Sequence, residues 1–150
     1  MNQVKTLSLL LTIGLACCVV NPLASAESAV LDANTATVAE IASLPHMDEL
    51  MAEVVVANRP FVTIGELHDL LIPDLDEEQL AKIYGRLFVR INLNHAKRSD
   101  ILLIPGVGRR MAHEFEEYRP YSSIEQFRRE MGKYVDEAEV ARLEQYVTLE

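Results

Sequence analysis

The 150-residue chain has no tryptophan, and aromatic residues make up only 6% of it. Its two cysteines, Cys17 and Cys18, are adjacent and close to the start. Every residue after 18 therefore lacks a thiol, which excludes a disulfide framework, a thiol nucleophile and a cysteine zinc site there. The four histidines, His46, His68, His95 and His113, have no i, i+4 spacing, so neither a metal nor any other cofactor is expected. Excess basic charge is missing too: 14 Lys and Arg face 23 Asp and Glu, for a net charge of −9. A chain this acidic repels nucleic acid at long range. The carboxylates fall on expected helix surfaces and caps rather than in a pair placed for acid–base work, so no enzyme is expected. No alternating strand pattern of useful length occurs.

What is present begins with an address. Met1 to Lys5 is a short segment with one positive charge, and Thr6 to Val20 is apolar. Ala24-Ser25-Ala26 then supplies the small-x-small pattern of a signal-peptidase site, placing the cut before Glu27. The apolar run is short for a membrane span, which needs about 20 residues. An uncut N-terminal anchor is the alternative. Leu15-Ala16-Cys17-Cys18 also has some likeness to a lipoprotein box, although Cys17 is a poor fit where a small residue normally precedes the acylated cysteine. The expected product is an exported, periplasmic protein of residues 27–150, with no stable membrane span and a net charge of −10 once Lys5 is gone.

The remainder is a duplication. Shifting the chain by 60 lays Leu31–Arg90 over Ile91–Glu150 without a gap. Twelve pairs are identical, among them Asn34/Asn94, Pro45/Pro105, Met51/Met111, Arg59/Arg119, Pro60/Pro120 and Asp76/Asp136. Conservative pairs such as Phe61/Tyr121 and Ile83/Leu143 strengthen the match.

Each copy reads as four short helices, giving an all-α fold of about eight. Thr37-x-x-Glu40, Thr63-x-x-Glu66 and Ser123-x-x-Gln126 have capping-box form, and Asp76 and Asp136 are placed to cap the last helix of each copy. The first helix of copy two has no clear cap. Arg-Pro at 59–60 and 119–120 interrupts helicity between the second and third helices. Arg90 runs directly into Ile91, so the copies are expected to share an apolar interface. Helix 49–57 is apolar on several sides and is expected to be an internal core helix.

Asn-Leu-Asn at 92–94, Ile-Pro-Gly-Val-Gly at 104–108 and Tyr-Ser-Ser-Ile-Glu-Gln-Phe at 121–127 resemble the ComEA-like DNA receptors of bacterial competence. Leu31–Thr37 and Phe61–Leu67 repeat the frame, so the resemblance covers residues 31–150. It implies two helix-hairpin-helix elements in each of the units 31–90 and 91–150. The hairpins would lie at Pro45–Asp48, Pro73–Asp76, Pro105–Gly108 and Lys133–Asp136. In such an element, glycines let the backbone approach a phosphate, and the following helix offers unpaired amides.

Only Gly106-Val107-Gly108 has the glycine form. At the other three turns Asp48, Asp74 with Asp76, and Asp136 put carboxylates where a phosphate would sit. Residues 31–90 carry 4 basic and 11 acidic side chains; residues 91–150 carry 9 and 11. Around the glycine hairpin Lys97, Arg98, Arg109 and Arg110 outnumber Asp100. The expected site is thus Gly106, Val107, Gly108, Arg109, Arg110, Lys97 and Arg98, holding backbone phosphates of double- or single-stranded DNA without sequence choice. The bland alternative is a tight turn without a ligand, with Arg109 and Arg110 paired to Glu114, Glu116 or Glu117. The whole protein would then be a periplasmic interaction or scaffold module. The extrinsic lumenal subunit of photosystem II carries a similar unit in a structural role.

Overall fold

The computed structural model describes residues 29–150; the expected signal segment and the expected cleavage site before Glu27 lie outside them. The chain forms β1 (Leu31–Asp32), α1 (Val38–Ala42), α2 (Glu49–Ala57), α3 (Ile64–Leu71), α4 (Glu77–Tyr84) and β2 (Leu87–Phe88). The same order follows in β3 (Ile91–Asn92), α5 (Arg98–Ile101), α6 (Arg109–Glu117), α7 (Ile124–Met131), α8 (Glu137–Glu144) and β4 (Val147–Thr148). The described residues form an all-α fold with eight short helices. Its strands are two-residue parallel bridges, β1 with β2 and β3 with β4, too short to leave an alternating pattern in the sequence.

Local chemistry explains most helix starts. Thr37 and Glu40 close a reciprocal capping box on α1, and Asp76 and Gln79 close another on α4. Thr63 and Ser123 cap α3 and α7 from their hydroxyls, but their box partners reach one residue further back. Glu66 accepts from the Val62 amide at 2.7 Å, and Gln126 from the Ser122 amide at 2.9 Å. Asp136 caps α8, whereas Lys97 at the start of α5 supplies no side-chain cap. At the second hairpin Asp76 is the cap; Asp74 only donates its amide to the Leu71 carbonyl.

Each copy is held together by the same strap. Asn34 donates to the Phe61 carbonyl at 3.0 Å and accepts from its amide at 2.8 Å; Asn94 does the same for Tyr121 at 2.9 and 2.7 Å. Arg59 donates to the carbonyls of Ala33 and Ala36, and Arg119 to those of Leu93 and Ala96. Both Arg-Pro peptides are cis. These contacts give the identities Asn34/Asn94 and Arg59/Arg119 a structural role: the arginines satisfy carbonyls in the irregular loops before α1 and α5, and the asparagines the backbone of Phe61 and Tyr121 before α3 and α7.

The apolar side chains of both copies join one buried cluster. Phe88 of the first copy meets Tyr146 of the second edge-on at 4.9 Å between ring centres, and the Val30 amide donates to Gln145 at 2.9 Å. Helix α2 is not the internal core helix expected from its composition. Ala52 and Val55 are buried, but Leu50 is 69% and Val54 41% exposed. Nine residues of α2 turn only one side toward α1, its main neighbour, so the other side stays in solvent.

The α1–α2 turn requires a left-handed backbone, with φ of +64° at His46; its counterpart Gly106 has φ of +80°. Left-handed geometry costs an L-residue about 1–2 kcal/mol. His46→Gly is therefore expected to stabilise the protein by about 0.5–1 kcal/mol after the entropy added to the unfolded chain. A urea melt showing no gain would mean that the imidazole contributes as much to the native turn as its backbone strain costs.

Candidate nucleic-acid interface

Helix α6 begins at Gly108, which caps it with extended backbone and no side-chain acceptor. Its first turn holds no acidic residue. In the first copy, Asp48 accepts from the Met51 amide at 2.8 Å and closes the corresponding helix end. The amides at the start of α6 thus lack the acceptor that closes α2, and helix-end donors carry the positive end of the helix dipole. A Cβ built on Gly108 would meet nothing within 4 Å, so the approach to these amides is open.

The two glycines have different tasks. Gly106 makes the turn through its positive φ, while Gly108 keeps the helix end unobstructed. Val107 between them is buried, and its amide donates to the Ile104 carbonyl at 3.0 Å. It anchors the hairpin to the core rather than facing a ligand.

The four expected cations divide into two pairs. Arg109 and Arg110 are exposed in the first turn of α6, and neither forms an ion pair among the described residues. Their possible helical partners are otherwise engaged or sunk: Glu116 binds Arg98, Glu117 faces His113 at 3.4 Å, and Glu114 is buried. Arg98 is drawn away from the hairpin. Its Nε donates to Glu116 at 2.8 Å, eight residues beyond Gly108, which is about 12 Å along the helix axis. The Arg98 guanidinium holds the Glu116 carboxyl below its usual range. Lys97 precedes Arg98 at the same far end of α5, exposed and outside the glycine turn.

Family models, characterised proteins and solved structures yield no match to this chain.

Three further side chains lie beside the helix end. Arg142 of α8 would stand 3.4 Å from a Cβ at Gly106; it is paired with Glu139 at 2.6 Å. Lys133 and Tyr134, from the α7–α8 turn, join Gly108, Arg110, Met111 and Glu114 around a recess of about 410 Å³. Lys133 pairs with Glu130 and sits over the Tyr118 ring at 4.6 Å. No sequence spacing signals these residues, because they reach α6 from the α7–α8 turn and α8, well beyond its end at Glu117. In the first copy the corresponding residues are Pro73, Asp74 and Lys82.

Proposed function

We propose that this is an exported, non-catalytic helix-hairpin-helix protein that binds nucleic-acid backbone phosphate through its second copy. The observation that carries the reading is the uncapped, acid-free start of α6, flanked by Arg109 and Arg110, which form no ion pair among the described residues. Contact there goes to phosphate and carries no sequence information itself. The acidic remainder of the protein limits the footprint to one or two phosphates, so the salt slope is expected to be shallow, about −1 to −2.

The deciding variant is Gly108→Asp, which copies the cap of the first copy into open space. It is expected to lower DNA affinity at least about ten-fold, because a carboxylate replaces the phosphate at the amides. Stability should move the opposite way, by a few tenths of a kcal/mol, because aspartate is the better cap. Fluorescence anisotropy across a salt series and a thermal melt read the two effects. Unchanged DNA affinity in the variant would remove the helix end from the site.

A second reading is an interaction or scaffold module in the periplasm. Leu50 and Val54, one turn apart and exposed on α2, and Val62, 79% exposed, favour it. Absence of DNA binding at low salt, with a cross-linked partner lost on Leu50→Lys, is the outcome that would select it.

A further inference from the structure

A groove of about 610 Å³ runs between the two copies, walled on one side by α3 and α4 and on the other by the α5–α6 turn. That volume lies within the range of about 300–1,000 Å³ usual for ligand clefts. Ile72 on the first wall is 52% exposed and Leu102 on the second 38%, so packing of the copies leaves both partly uncovered. The second copy shows how differently the same face can be built. Gly132 stands at the position of Ile72, and an Arg128–Glu144 ion pair at 2.6 Å replaces His68 and Tyr84. On the other wall, the first-copy counterparts of Leu102 and Leu103 are Ala42 and Ser43. Both walls thus carry larger apolar side chains than the equivalent surfaces of the other copy. Apolar side chains left exposed across a cleft from each other mark a contact surface.

Charge selects the kind of partner. Glu77 is the only carboxylate on the groove walls, no lysine or arginine lines them, and Glu77 forms no ion pair among the described residues. His68 Nδ1 and the Tyr84 hydroxyl, the other polar side chains there, pair with each other at 2.9 Å. Residues 69–78 add Asp69, Asp74, Asp76 and Glu78 to this side of the protein, with no lysine or arginine among them. None of the strands lines the groove, so an extended peptide finds no sheet edge to join. An amphipathic helix, by contrast, lays an apolar stripe into such a cleft. We propose that the groove receives a basic amphipathic helix of a partner protein, its apolar stripe on Ile72 and Leu102 and a lysine or arginine beside Glu77. This contact goes beyond the phosphate reading and uses neither Arg109 nor Arg110.

The test titrates the protein into two labelled helical peptides that share one leucine stripe, flanked by lysines in one and by glutamates in the other. Anisotropy is expected to show the lysine peptide binding at least about ten-fold tighter than the glutamate peptide. Ile72→Lys should weaken the lysine peptide at least about ten-fold, and Leu102→Lys, on the opposite wall, should act alike. Leu50→Lys makes the same charge change on α2 and should alter binding less than about two-fold. Glu77→Lys should narrow the margin between the peptides more than Glu53→Lys does, although both reverse one charge. Thermal melts of the variants check that each stays folded. Equal weakening by Ile72→Lys, Leu102→Lys and Leu50→Lys overturns the groove and leaves only attraction to an acidic surface. Equal binding of the two peptides, or binding of neither, overturns it as well.

Discussion

Phe88→Ala is expected to cost about 3–5 kcal/mol, the range for removing a fully buried aromatic side chain. Phe88 is 1% exposed and lies edge-on to two rings, Tyr84 at 6.1 Å within its own copy and Tyr146 at 4.9 Å in the other. Edge-to-face pairs add about 0.5–1.5 kcal/mol each beyond the area they bury. The loss is large against a total stability of about 5–15 kcal/mol for a domain of this kind. It also falls on the contact that joins the copies. The wild type should unfold in urea as one transition, because its core is continuous. The variant should unfold earlier and over a broader range as the copies uncouple. A loss below about 1 kcal/mol with unchanged steepness would show that neighbouring side chains collapse into the space.

Arg119→Ala is expected to cost about 3 kcal/mol, from two charge-assisted hydrogen bonds whose carbonyl acceptors are left unmet. The Arg119 Nε donates to Leu93 at 2.6 Å and a terminal nitrogen to Ala96 at 2.8 Å. A planar fork reaches both carbonyls at once; an ammonium does not match that geometry. Arg119→Lys should therefore recover less than half of the loss in a thermal melt. Full recovery by lysine would mean that positive charge alone matters at this position. Arg59→Ala should behave in parallel, since Arg59 makes the same two contacts to Ala33 and Ala36.

Much of this architecture is legible in the chain because it is decided within four residues. Thr37, Asp48, Thr63, Asp76, Ser123 and Asp136 each cap the helix they precede. The open end at Gly108 belongs to the same class, since it depends on a missing side chain and not on a distant one. The offset of 60 predicts that paired positions share conformation, and His46 and Gly106 do so despite their different chemistry. Arg98 was beyond such reasoning. Its partner Glu116 lies 18 residues away on the next helix, and local charge counting places that arginine beside the hairpin. The exposed side of α2 was equally hidden, because a helix with apolar residues on several sides does not say which side meets a neighbour.

By itself the sequence determined the eight helices, their caps, the duplicated frame and the one uncapped hairpin. Those features follow from backbone preferences and hydrogen bonds between near neighbours, which each short segment carries with it. Only the tertiary structure decided which cations stay unpaired, which arginines become straps, and that Glu114, Lys133 and Tyr134 enclose a recess beside the α6 amides. These outcomes depend on how α5 to α8 pack, and packing brings together side chains whose separation along the chain carries no trace of their contact.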